Sequence, residues 1–285
     1  MFWFLGGYME YLFHYTSLEN LALILSNKTI CFNNLSNVDD SEESETEDMG
    51  RFGRFVYVSC WTDAPEESIA LWKLYTPDMH GVRIKLPKFP FKKYFYKKGE
   101  MFLSEDTETF INLKNLYNDN KASIVSNQPL LVRVTYTADS SLLIPKIRHE
   151  SREGALQDFL QLKDLSDLSA DYEASYDFKH LGKYKREYWS FQKEWRYIIS
   201  SAPQGLKDSA PPTLEKQQSF IRAIEDLDSA PPYNQLFLEL DDAALEKMEI
   251  TFGPKMSAAE KILAKSLLAE FYPTCNYKDS YIKIK

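Results

Sequence analysis

Cysteine is scarce in these 285 residues: Cys31, Cys60 and Cys275 lie far apart and form no CxxC pair. So odd and sparse a set suits a reducing compartment better than a disulfide framework, so the expected location is cytoplasmic. The four histidines, His14, His80, His149 and His180, show neither HExxH nor a paired spacing with cysteine, so no metal site is expected. Ten glycines give no GxGxxG and no Walker loop, which removes the usual phosphate cradles. A GxSxG elbow is missing too, and no motif marks Cys31 or Cys60 as a nucleophile. No apolar run approaches the ~20 residues that span a bilayer, so no membrane partner is expected. The opening "MFWFLGGYMEYLF" has no basic n-region and no small-residue cleavage site, and it does not read as a signal peptide. Met9 stands as an alternative start. Basic charge is short as well: 34 Lys and Arg against 42 Asp and Glu leave a net charge of -8. That balance argues against a surface built to neutralise phosphates, although a local basic groove stays open.

Apolar residues, by contrast, are plentiful. A hydrophobic content of 44%, with 14% aromatic, is enough for a packed core. "EYLFHYT" (10–16) reads as a strand, and "TSLENLALILSN" follows with Thr16 and Glu19 at capping-box spacing, so a helix begins there. "TICFN" is a second strand. The polar, acidic run from 33 to 54 reads as a long solvated loop. "FVYVSCWT" (55–62) is a strand, Asp63 and Pro65 look like a helix start, and "VRIKL" (82–86) is another strand. A helix is expected near "TETFINLKNLYNDN", and a strand over 130–137. The region 150–190 reads as mostly helical and charged, and two copies of "DSAPP" bracket a helix over "TLEKQQSFIRAIED". "NQLFLEL" and "MEITFG" are strands, "SAAEKILAKSLLAEFY" is a capped helix, and "SYIKIK" reads as a closing edge strand available for pairing with a second copy. Short strands with intervening helices predict one α+β domain over 1–285, with a largely helical insertion at about 145–235.

"SFQKEWRYIIS" (190–200) poses the functional question. With a period of two, Trp195, Tyr197 and Ile199 share one face, and Glu194, Arg196 and Ile198 the other. A carboxylate beside a guanidinium in mid-strand looks either into water or into a pocket.

Four separated blocks give a direction: the tyrosine-rich strand and helix at 11–27 with the acidic loop after it, "VSCWTDAPEESIALWKLY", the Gly-Val strand, and "FQKEWRYII". In this order they resemble the bacterial domain-of-unknown-function family 2971; Asp40 stands where that pattern has a proline. A second resemblance is to ADP-ribosyltransferases of the His-Tyr-Glu type, with tryptophans in place of the tyrosines. It implies a mixed or antiparallel split β-sheet and NAD as the substrate, with no metal. His14 would orient a ribose and Glu194 would be catalytic. Tyr15, Thr16, Ser59, Trp61, Trp72 and Tyr75 would line the cofactor site, and Arg196 would bind phosphate or hold Glu194 ionised. The implied partner is a macromolecular acceptor, nucleic acid or protein, in a toxin or anti-phage setting. The residue types suit that chemistry. An aromatic wall holds the flat cationic nicotinamide ring, and a carboxylate stabilises the oxocarbenium charge that develops on the ribose.

Plainer readings stand beside these. Glu194 and Arg196 could form an ion pair on a wet strand face, His14 could be a structural histidine, and Trp72 and Tyr75 could be helix core. A nucleotide- or partner-binding module without turnover is the alternative function. A metal-dependent nuclease using Asp63, Glu66, Glu67, Glu187 and Lys193 comes third. Counting an EF-hand loop from Asp39 puts Ser44 at the position that needs glycine, so the acidic run does not fit that motif. The basic, aromatic-interleaved "KHLGKYKREYW" (179–189) reads as a solvated helix face that could also meet a phosphate-bearing ligand.

Overall fold

The first unit sets the pattern for the rest. In the computed structural model, which describes residues 10–150, 174–209, 213–227 and 229–284, a strand β1 (Tyr11–Ser17) runs straight into helix α1 (Leu18–Asn27). The cap is Ser17, whose hydroxyl accepts from the Asn20 amide, and not Thr16, because β1 keeps its ladder to β4 through Ser17. Thr16 instead accepts from the Asn20 side chain at 3.0 Å. Lys28, left-handed at φ 53, ends the helix and turns the chain into β2 (Thr29–Asn34).

Among the described residues, ten strands form one mixed sheet. The others are β3 (Val56–Thr62), β4 (Gly81–Pro87), β5 (Ser123–Ile124), β6 (Leu130–Arg133), β7 (Glu194–Ala202), β8 (Gln235–Glu239), β9 (Glu249–Phe252) and β10 (Asn276–Asp279). The order runs β8-β2-β3-β1-β4-β9-β10, with β7 on β3 and with β5 and β6 on β7. The pairs are antiparallel except β9 with β10. One edge of β3 is fully zipped to β7, from Glu194 opposite Thr62 to Ser200 opposite Val56. The other edge is shared. β2 holds it at Tyr57 and Val58, and β1 holds it at Thr62. Between those points the sheet parts, and Ser59, Cys60 and Trp61 border the gap.

Two cores cover the two faces. Leu21, Ile24 and Leu25 of α1 and Ala264 and Leu268 of helix Ala258–Phe271 pack on one face, with Tyr57, Tyr197 and Ile199. The other carries Leu35, Met49, Phe52 and Phe55 from the acidic segment and Phe220, Ile221 and Ile224 from helix Leu214–Glu225, against Val56, Val58 and Ile198. Strand β7 is therefore covered on both faces, and its charged residues Glu194 and Arg196 are buried.

Several expectations change. The segment 33–54 is not a solvated loop: its start ends β2, three short 3₁₀ turns follow (Leu35–Asn37, Ser41–Ser44, Phe52–Phe55), and Asp40, Glu43, Ser44 and Thr46 are buried. The helix expected at Asp63 begins after the cap Ser68, as Ile69–Tyr75. Arg83 takes the carbonyls of Ala64 and Pro65 at 2.6 and 2.9 Å, which keeps the preceding segment out of helix. The run 130–137 breaks at Val134, where it leaves β7 and its last three residues pair with Tyr184–Arg186. The helix near 107–120 is shorter, Leu113–Asp119, with a strand at Thr107–Thr109 before it. The closing strand is Asn276–Asp279, not "SYIKIK". The stretch 145–235, expected to be largely helical, carries β7 through the middle of the sheet and the strands Arg148–Glu150, Ala174–Tyr176 and Tyr184–Arg186. The rest of that expectation, 151–173, lies outside the described residues.

One close approach fixes how β9 meets β4. A Cβ on Gly253 would lie 2.4 Å from the Met79 carbonyl and 2.8 Å from that of Gly81. Gly253→Ala is expected to cost about 1–3 kcal/mol, read as a lower urea midpoint with an unchanged slope.

Candidate functional site

The gap in the sheet is a cavity of about 210 Å³. β1 lends it Phe13, His14 and Tyr15, β2 Cys31 and Asn33, and β3 the run from Val58 to Thr62. The acidic segment adds Asn37, Val38 and Asp39, helix α2 (Ile69–Tyr75) adds Leu71 and Tyr75, and the floor holds Lys185, Gln192, Glu194 and Arg196. The space is large enough for one flat ring and the edge of a sugar.

Glu194 lies in the floor within a closed set of four charges. Arg196 Nε donates to its Oε1 at 2.7 Å and Nη2 to its Oε2 at 3.2 Å. Lys185 Nζ donates to the same Oε2 at 3.1 Å and to Gln192 Oε1 at 2.9 Å. Behind them Glu43 receives Arg196 through both Nη1 and Nη2 and lies 3.3 Å from Lys185. Each of the four side chains is at most 4% exposed. Burial alone would raise the Glu194 pKa, but Arg196 and then Lys185 outweigh it and hold the carboxyl at about 2. Burial would lower Arg196, and the two carboxylates instead push it well above its usual value. Of the two roles expected for Arg196, holding the carboxylate ionised agrees with these contacts and phosphate binding does not. Nη1 also meets the Gly182 carbonyl, so all five of its N–H groups are spent.

His14 Nδ1 lies 2.8 Å from the Cys60 carbonyl, a group left without a ladder partner where the sheet parts. That bond fixes the proton on Nδ1 and leaves Nε2 as an acceptor. Burial lowers the His14 pKa against the pull of the carbonyl, so the ring is neutral at physiological pH. Its ring leans on Trp61, centroids 5.0 Å apart, and Trp61 Nε1 donates to Ser59 Oγ at 3.0 Å. Tyr75 OH accepts from Gln192 Nε2 at 2.6 Å, and burial followed by the Glu194 charge drives its pKa far up. It keeps its proton and can donate into the cavity. Burial, and then the Glu194 charge, raise the Cys60 thiol pKa well above its usual value, so it is no thiolate nucleophile.

Seven of the nine expected site residues thus share one cavity: His14, Tyr15, Ser59, Trp61, Tyr75, Glu194 and Arg196. Thr16 and Trp72 do not line it. Thr16 is tied to α1, and Trp72 is fully buried, its Nε1 on Glu67 and its ring edge-on to Tyr15 at 4.8 Å. Tyr15 lines the cavity, and its hydroxyl accepts from the Ser68 amide. Asp63, Glu66, Glu67, Glu187 and Lys193, the nuclease candidates, do not line the cavity. The stretch 179–189 is a turn, a short strand and part of a 3₁₀ turn, not a helix face, and its Lys185 is buried.

Sequence reasoning missed Glu43, Lys185, Gln192 and Asp39. Glu43 sits among six other acidic residues in 39–48 and nothing local singles it out. Only the apolar residues flanking the run, Leu35, Met49 and Phe52, hint that the segment is folded down.

The depressed Glu194 pKa has a signed consequence. Its unfolded value is about 4.5 and its folded value about 2, so its contribution is complete above pH 4.5 and is lost as pH falls toward 2. Melting temperature followed from pH 6 to pH 2 should fall more steeply for the wild type than for Glu194→Gln.

No family model, no curated protein and no solved structure matches this chain. No helix among the described residues is long and apolar enough to cross a membrane.

Proposed function

We propose that the chain binds NAD⁺ with its nicotinamide end in the sheet gap and transfers ADP-ribose to a macromolecule, nucleic acid or protein. The observation that supports this most is the meeting of neutral His14, the Trp61 and Tyr75 rings and ionised Glu194 around one ring-sized cavity. Glu194, held as a carboxylate, would accept from the ribose hydroxyl and stabilise the oxocarbenium charge more than the ground state. His14 Nε2 would accept from the other ribose, and the Tyr75 hydroxyl would donate to the ring's amide. The parted sheet agrees with an ADP-ribosyltransferase-like arrangement. The resemblance to the domain-of-unknown-function family and a toxin or anti-phage role rest on the sequence blocks.

A binding module without turnover is the second reading, favoured by one fact: both Glu194 oxygens already carry cation hydrogen bonds. Incubating the purified protein with NAD⁺ without added metal separates the two. Nicotinamide release supports transfer or hydrolysis; calorimetric binding without release supports the module; neither signal removes NAD⁺ from the account.

A further inference from the structure

The charges that line the cavity are not all paired. Glu43 and Glu194 are matched by Lys185 and Arg196, and both cations are spent. The five N–H groups of Arg196 are committed, and the Lys185 ammonium is divided among Gln192, Glu194 and Glu43. His14 is neutral. No positive hydrogen is left for a phosphate or carboxylate on a ligand. What remains is Asp39, exposed at the cavity wall, with no hydrogen-bond or ion-pair partner among the described residues. It lies close enough to Tyr75 for its charge to act on that hydroxyl. Of the charged side chains that line the cavity, Asp39 is therefore the one without a partner among the described residues.

We propose that this cavity is a receptor for a flat monocationic ring, with Asp39 as the counter-ion that selects for charge. The proposal deepens the NAD⁺ reading and rests on it for the natural ligand. A pyridinium ring carries one positive charge; its reduced dihydropyridine form has the same outline and none. The site would therefore accept the oxidised dinucleotide and turn away the reduced one, with the anionic pyrophosphate outside the gap.

The test is calorimetric titration at low ionic strength with 1-methylnicotinamide, a cation, and nicotinamide, its neutral counterpart, on wild type and Asp39→Asn. An opposite charge near a surface carboxylate should give the cation about a tenfold preference in wild type. Asp39→Asn should remove it. Asp39 holds no other residue, so an unchanged melting temperature is expected of the variant. A salt series on wild type gives the same answer without any variant, because the preference must shrink as ions screen the carboxylate. Equal affinities, a preference that survives Asp39→Asn or salt, or no binding of the cation to wild type would each overturn the proposal. NAD⁺ added to the same samples keeps the two readings apart. Cation preference without nicotinamide release preserves the receptor and removes the transferase, and release without cation preference does the reverse.

Discussion

On the proposed transferase reading, Glu194→Gln is expected to slow nicotinamide release from NAD⁺ by about 10²–10³-fold, the usual effect of removing one preorganised electrostatic group from a transition state. Glutamine keeps the size and an oxygen for Arg196 Nε, but it brings no charge to the ribose. The substitution also unbalances the floor, leaving Lys185 and Arg196 with Glu43 alone. Glu43→Gln is the control, since it breaks the same network from behind and leaves Glu194 in place. Turnover per folded molecule should stay within about tenfold of wild type in Glu43→Gln, as expected of a group that acts only through another. Equal losses in the two variants would mean that the network supports the fold and that Glu194 has no separate chemical role.

Glu43→Ala is expected to destabilise the protein by about 3–5 kcal/mol, because it strands Arg196 and Lys185 against a single carboxylate in a dry interior. At about 2–4 °C per kcal/mol that is a fall in melting temperature of roughly 6–20 °C. Glu45→Ala, two residues on, removes only an exposed pair with Arg51 and should change stability by no more than about 0.5 kcal/mol. The contrast within one acidic run tests the burial of Glu43 directly. Similar small effects at both positions would return the segment to solvent. The intact network need not add net stability, since desolvating four charges offsets most of their attraction. What it does is hold one carboxylate ionised at a fixed place.

The two fold faces were legible to different degrees. β1, α1 and β2 followed from a cap, helical spacing and short branched runs, all within a few residues of one another. His14, Trp61 and Glu194 could be placed on strands for the same reason. Glu43 was not legible, because its partner is 153 residues away and the local pattern is that of a solvated loop. Lys185 was hidden in a run of cations in which Lys179 is exposed and Lys183 and Arg186 are half-buried. Trp72 misled in the opposite sense: its helical spacing fits either wall or core, and only packing against Tyr15 decides for core. The gap in the sheet could not be read at all from residues. It arises because β1 and β2 both claim one edge of β3, which is a matter of pairing, not of propensity.

That same separation governs when the site can exist during synthesis. Glu43 emerges from the ribosome early, and Lys185 and Arg196 follow only after most of the chain has been made. Until β7 zips onto β3, Glu194 has no fixed position and the cavity has no floor. A nascent or prematurely terminated chain therefore carries the aromatic wall without the charge. Such late assembly confines the complete cavity to finished molecules.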